Sequence, residues 1–329
     1  MVTLDAIREP VRKELEEFEA FVRRNFKVEN ELLAAMVDYI LSTRGKGVRP
    51  LLVLLSAGLN APATGRSVGQ RTYLAAMLVE IIHTASLVHD DVIDESDTRR
   101  GRASANAKWQ SRNAVVLGDF LLARNMEIGM RSAQYDIVSY VISSIALLCE
   151  GELLQNDHAR KMEVTRNTYL DIIYKKTASL LGISAGVGAL SVGADRGKIA
   201  EMRRFGDALG MAFQIQDDIL DYTRGAHTGK PSNNDLREHK ITLPLLLLLD
   251  RSDKARQDEI RELLARCHED ETAVDTLQAA VEGEGCLQEA SKVMHGYLQR
   301  AASLLAAWPD GPVRTALVNL CAYIAERNR

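Results

Sequence analysis

The sequence offers few residues for a covalent framework and no surplus of either charge. Its four cysteines, Cys149, Cys267, Cys286 and Cys321, lie far apart and never form a Cys-x-x-Cys pair, which excludes a disulfide scaffold or a structural zinc ribbon and fits a reducing cytoplasm. Lys+Arg 41 against Asp+Glu 45 leaves 41 − 45 = −4, so no bulk positive charge exists to attract nucleic acid. The first residues carry Glu14, Glu16 and Glu17 where a targeting segment would be basic and then apolar. Uninterrupted apolar runs are short as well. Those at 51–59, 74–88 and 243–249 are too brief, or broken by Glu80, so no integral membrane segment is expected and they read as core helices.

What the sequence does have is helical periodicity almost throughout. Leu32, Met36, Tyr39 and Ile40 recur at three- and four-residue spacing, as do Leu304, Leu305 and Trp308. Only 7 prolines interrupt 329 residues, and no alternating strand pattern stands out. The spacing predicts helices over 5–25, 29–43, 50–60, 70–96, 112–132, 136–156, 165–192, 195–222, 241–250, 254–267, 271–283, 285–306 and 312–327. Breaks fall at 60–67, 99–106 and 223–237, the last being the longest loop. Nothing resembles an interdomain linker, so the expectation is a single all-α domain over 1–329. The segments 70–89 and 203–220 are apolar nearly all round and belong inside a bundle.

Two of these buried helices end in acid. One reads His89-Asp90-Asp91-Val92-Ile93-Asp94, the other Gln216-Asp217-Asp218-Ile219-Leu220-Asp221. Each carries Asp-Asp-x-x-Asp, which places the i and i+4 carboxylates on one face. Like charges there repel, and a helix C-terminus disfavours anions. A cation is needed to offset both, and magnesium suits the pattern because it shares one or two carboxylates with substrate phosphates. One cluster alone reads equally as a solvated helix end or a calcium-bound turn. Two clusters behind two apolar rods point to a diphosphate suspended between metals. An EF-hand is excluded by the helical context and the missing glycine and terminal glutamate.

Basic residues flank the first cluster. Asp97-Thr98-Arg99-Arg100-Gly101-Arg102 follows it, and Arg44-Gly45-Lys46-Gly47-Val48-Arg49 lies upstream. Guanidinium groups grip phosphate oxygens in bidentate fashion, and glycine lets backbone approach. Neither Gly45-Lys46-Gly47 nor Gly225 to Lys230 is a Walker loop, since Ser or Thr is missing and Pro231 follows Lys230. Lys176, Thr177, Lys230, Arg237 and Lys240 are further candidates, though each alone could be an ordinary surface residue. His83 is a plausible phosphate donor. His89 could pack or support a ligand, and the His89-Asp90 pair alone does not make a metal phosphohydrolase, which needs another histidine further upstream.

From Arg44 to Leu245 these residues resemble the trans-type polyprenyl diphosphate synthases. Asp90, Asp91 and Asp94, followed by Arg99 and Arg100, are similar to the family's upstream aspartate motif; Gln214, Asp217, Asp218 and Asp221 are similar to its downstream one. The resemblance implies an isopentenyl diphosphate site at Gly45, Lys46, Arg49, His83 and Arg100, and allylic diphosphate contacts at Lys176, Thr177, Gln214, Lys230 and Lys240. It implies a helical bundle of isoprenoid synthase type around a deep central apolar cavity, two to three Mg2+ ions bridging the allylic diphosphate, and a homodimer in the cytoplasm with peripheral membrane contact for product release. Ionisation, condensation and elimination would follow, with released diphosphate as the base. The chain departs from the pattern where Arg44-Gly45-Lys46-Gly47 replaces Gly-Gly-Lys-Arg. It departs again at Asn233 and His239, where glycine is common.

One turn before the first cluster stand Ala85, Ser86 and Leu87, with Ile82 a turn below. Small residues there resemble the long-chain enzymes and imply a product of six to ten prenyl units, with heptaprenyl or octaprenyl favoured; a geranylgeranyl or farnesyl synthase is the alternative. The same small residues would also permit close helix packing. Candidate floors include Ile81, Ile82, Met77, Leu78, Tyr140 and Leu147. A terpene cyclase would call for an Asn/Ser/Glu-type motif in place of Asp217, Asp218 and Asp221, and a regulatory subunit could have lost its acids, whereas all six aspartates are present.

Overall fold

The structure is a computed structural model that describes residues 2–43, 45–223 and 233–327. The chain runs α1 (Leu4–Arg8), α2 (Arg12–Asn25), α3 (Glu31–Ser42), α4 (Val48–Thr64) and α5 (Gln70–Ile93), then a two-strand hairpin, β1 (Thr98–Arg99) and β2 (Arg102–Ala103). It continues as α6 (Ala105–Arg131), α7 (Tyr135–Lys161), α8 (Arg166–Ile173), α9 (Ser179–Ser191) and α10 (Arg196–Asp221). The remainder is α11 (Asn234–Arg237), α12 (Leu243–Arg251), α13 (Lys254–Arg266), α14 (Glu271–Gly283), α15 (Cys286–Leu304) and α16 (Pro312–Ala325).

Helix α9 lies at the centre, packed against α4, α5, α7 and α10. It is buried on every side except at Leu190, as its run of small and apolar residues requires. Glycine makes this crowding possible: a Cβ on Gly188 would sit 2.3 Å from the Val53 carbonyl of α4, and one on Gly206 of α10 would sit 2.4 Å from the Leu181 carbonyl. Helix α5 is enclosed over residues 72–82, with Met77, Leu78, Ile81 and Ile82 at 0–1% exposure, and opens toward its acidic end. Each such side chain contributes about 1.5–3 kcal/mol of burial.

Most of the expected helices form, and the departures have local causes. The first splits at Glu9–Val11, a 3-10 turn around Pro10, whose ring denies the helix a donor. Helix α4 runs on through Pro62 until Gly65 ends it in a left-handed conformation, so the expected break at residue 60 falls late. Helix α6 begins seven residues early, because Ser104 Oγ caps the Ala107 amide at 3.0 Å; a kink at Gln110 (φ 68°) then divides the helix. The hairpin turns through Arg100 (φ 56°) and Gly101 (φ 74°), and its strands are too short to leave an alternating pattern. The continuous helix expected over 165–192 is interrupted by a π-helical turn at Tyr174–Ala178. Such turns are a common mark of functional positions.

Two helices among the described residues are long and apolar enough to cross a membrane. In α5 72% of that stretch is buried, so it is a core rod; in α7 only 28% is. Leu153 and Ile142 on α7 are 71% and 46% exposed, and Val116 on α6 is 58% exposed.

Candidate active site

The last turns of α5 and α10 bring the two aspartate clusters to one end of the bundle. Lysines stand at both: Lys176, in the π turn, acts on Asp90, and Lys240 is ion-paired with Glu238 and also feels Asp235 and Asp94. Between them, beside the second cluster, lies a cavity of about 180 Å³ lined by Gln155, Tyr169, Lys176, Thr177, Gln214, Asp218, Asp235 and Lys240, among others.

In the second cluster each carboxylate has its own partners. Asp218 accepts from Tyr169 Oη at 2.6 Å and from Gln214 Nε2 at 2.9 Å, while Gln214 Oε1 accepts from Thr177 Oγ1 at 2.6 Å. Asp221 accepts the amides of Asn234 and Asp235 at 3.2 and 3.1 Å, which anchors α11. Asp217 is ion-paired with Arg327. Burial raises the carboxyl pKa of both Asp218 and Asp221, and the nearby Asp235 charge adds to it.

The first cluster divides differently. Asp91 is 3% exposed, and its Oδ1 accepts from Arg99 Nε at 2.8 Å. The two residues expected as a metal ligand and a phosphate binder are thus engaged with each other. Asp94 is exposed and Asp90 half-buried. Burial, reinforced by Glu152, raises Asp90 to about 6, against the opposing pull of Lys176. Lys176 Nζ donates to Gln155 Oε1 at 2.7 Å and meets Glu152 Oε2 at 2.6 Å. Glu152 and Gln155, absent from the expected site, occupy one face of α7 at i, i+3. The interrupted acids of 150–155 were their only sequence signal.

A further basic pocket lies behind Asp91. Arg100 donates to the Thr43 carbonyl at 3.0 Å and lies against Gly45, where a Cβ would come within 2.4 Å of the guanidinium carbon. Burial lowers Arg49 to about 10, partly offset by Glu80. Burial together with Arg49, Arg100 and Arg99 holds His83 well below its ordinary value, so it is neutral at pH 7. Glu80, only 9% exposed, lines a small cavity with Arg99, Arg100 and Asp91. Lys46 stands at the rim over the Tyr323 ring, 5.5 Å away.

Other expected residues fall elsewhere. His89 turns to α6, with Nε2 3.3 Å from the Val115 carbonyl and 3.4 Å from Asp119, so it packs between helices. Lys230 and Arg44 lie outside the described residues. Ile82 and Ala85 are enclosed in the core, whereas Ser86 is partly exposed and donates to the His83 carbonyl at 2.9 Å. Asn233 and His239 adopt φ of 61° and 56°, a left-handed conformation that explains why glycine suits those positions.

The donor set fits a hard divalent cation. The buried carboxylate of Asp218 and the half-buried ones of Asp90 and Asp221 are disfavoured as anions until positive charge arrives. Among the described residues no three side chains converge into a closed cage.

A helical bundle presenting two acidic clusters and two basic pockets defines an enzyme that handles diphosphate esters with a divalent metal. The polyprenyl synthetase family model matches residues 30–281, and the chain belongs to that family. It is 33% identical over 319 residues to the all-trans-nonaprenyl-diphosphate synthase (geranyl-diphosphate specific) of Rhodobacter capsulatus, covering 97% of this chain and 96% of that one. It is 30% identical to the octaprenyl diphosphate synthase of Escherichia coli over the full length of both. The polyprenyl synthase of Caulobacter crescentus, solved with calcium and isoprenyl diphosphate, superposes with a TM-score of 0.91 at 30% identity, covering 99% of this chain and 98% of that one. The chain is therefore a prenyltransferase of the polyprenyl diphosphate synthase type.

Proposed function

We propose that this chain, acting as a single catalytic unit, condenses isopentenyl diphosphate with farnesyl or geranylgeranyl diphosphate to give a long all-trans polyprenyl diphosphate and free diphosphate. The observation that carries this reading is the pairing of two separate basic pockets with the two acidic clusters. Lys176 and Lys240 sit beside the clusters, while Arg49, Arg100 and neutral His83 sit together behind Asp91. A cyclase, with one diphosphate to bind, would have no use for the pocket behind Asp91.

Asp90, Asp94, Asp217, Asp218 and Asp221 would hold two to three magnesium ions, which when bound would supply positive charge to the departing allylic diphosphate. Asp91 acts by fixing Arg99. Lys176 and Lys240 bind the remaining oxygens of that diphosphate, and Lys230, which lies outside the described residues, is expected to join them. Thr177 and Gln214 orient Asp218. The homoallylic diphosphate is gripped by Arg49, Arg100, Lys46 and His83, with Gly45 giving the Arg100 guanidinium room. Enclosure by α5, α9 and α10 keeps water from the allylic cation.

The small side chain of Ser86, one turn before Asp90, suits a growing chain, and the octaprenyl and nonaprenyl relatives support a product of similar length. The apolar outer faces of α6 and α7 favour a homodimer, in which Leu153, Ile142 and Val116 would be covered. A cytoplasmic location with peripheral membrane contact suits a water-soluble substrate pair and an apolar product. The test is incubation with isopentenyl diphosphate, Mg2+ and each starter, followed by dephosphorylation and sizing of the alcohols. A ladder ending in one long prenol is expected. No incorporation by the folded, metal-loaded protein would reject the reading.

A further inference from the structure

The last described residue, Arg327, is placed as if it were part of the second acidic cluster. Helix α10 presents Phe213, Gln216 and Asp217 at i, i+3 and i+4, hence on one face. Arg327 engages all three. Its guanidinium pairs with Asp217 and lies 4.3 Å from the Phe213 ring centre, and its carbonyl accepts from Gln216 Nε2 at 3.0 Å. The side chain is 11% exposed, and its buried Nε has no hydrogen-bond partner. Burial lowers the guanidinium to about 10, which leaves it charged at neutral pH. A surface arginine is not held in this way.

We propose that Arg327 is a positioning residue that competes with the divalent cation for Asp217 and so sets how readily the second cluster takes up metal before substrate arrives. This rests on the reading of Asp217 as a metal ligand. A guanidinium and a dication drawn to one carboxylate repel each other, and partial burial weakens the solvent screening between them. The first aspartate of the cluster is thus neutralised from within the chain, while Asp218 and Asp221 are held by neutral donors. Metal reaching Asp217 must weaken the Arg327 contact, and a tighter Arg327 contact must weaken metal binding by the same factor.

The experiment is Mn2+ titration of the full chain, followed by the loss of the free-ion electron paramagnetic resonance signal. The background is Asp90→Asn with Asp94→Asn, so that only the second cluster is observed. Arg327→Gln is expected to tighten Mn2+ binding by roughly fivefold or more, and Arg327→Lys to stay near the parent. Adding Asp217→Asn should abolish the difference between Arg and Gln at 327. Unchanged or weaker binding in Arg327→Gln, in a variant whose circular dichroism and Tm match the parent, overturns the proposal. If Arg327→Gln alone misfolds, the Arg327→Lys and Arg327→Met pair carries the same comparison. Failure of the proposed function would appear separately, as wild-type protein that binds Mn2+ and forms no prenyl product.

Discussion

The phenol of Tyr169 donates to Asp218 Oδ2 at 2.6 Å, joining α8 to the acidic end of α10 across 49 residues. The bond favours the ionised carboxylate, and the Gln214 amide acts on the same group in the same direction. Removing it with Tyr169→Phe is expected to weaken the allylic diphosphate site by about 1.5–3 kcal/mol, the range for a hydrogen bond to a charged group. It should also move the acidic limb of the pH–rate profile upward. A profile that does not move would show that Tyr169 serves packing alone.

Metal should weaken a pH dependence of stability. Asp90 is raised to about 6 and Asp218 and Asp221 to about 7, all with burial as the largest cause. A folded-state value above the unfolded one favours the protonated form. Stability from these groups is therefore fully present below about pH 4 and is lost as pH rises through about 7. In EDTA, Tm should fall between pH 5 and pH 7.5 by more than it does in Mg2+. Asp218→Asn should flatten that difference while lowering kcat by about 10²–10³-fold. Parallel curves with and without metal would contradict this.

Glu80 should matter for only one substrate. It lies buried among the guanidinium groups and offsets the effect of burial on both Arg49 and Arg100. Glu80→Gln leaves those charges without their carboxylate, and breaking such a buried set costs about 3–5 kcal/mol. The KM for isopentenyl diphosphate should rise at least tenfold, with little change in the KM for the allylic substrate. Equal effects on both would point to general unfolding, which Tm would report.

Ser86→Phe should shorten the product. Ser86 is partly exposed one turn before Asp90, and a turn rises about 5.4 Å, so a phenyl ring there meets the chain after its first additions. Prenols sized by chromatography should shift to short species with the condensation rate retained. The same change at Ile82 or Ala85, both enclosed in the core, should instead lower stability.

The helices were legible because apolar spacing is a local property, and the two aspartate motifs because i and i+4 share a face wherever a helix forms. The π turn was not: Tyr174 to Ala178 has ordinary helical composition, and its backbone packs on Gly151 of α7, where a Cβ would lie 2.9 Å from the Lys176 amide nitrogen, a contact between distant segments. Resemblance supplied Lys176, Thr177 and Gln214 as a set; the structure bonds Thr177 to Gln214 and Gln214 to Asp218, and gives Lys176 a separate partner in Gln155.

By itself, then, the sequence determined an all-helical chain whose buried rods end in paired acids next to basic loops, since side-chain direction along a helix follows from backbone geometry alone. Tertiary structure decided what each acid does. Asp91 turns to Arg99, Asp218 to Tyr169, and Asp217 to Arg327, 110 residues away. Identical aspartates in identical motifs acquire different partners because contacts between distant segments are set by how helices pack, which no spacing within a helix records.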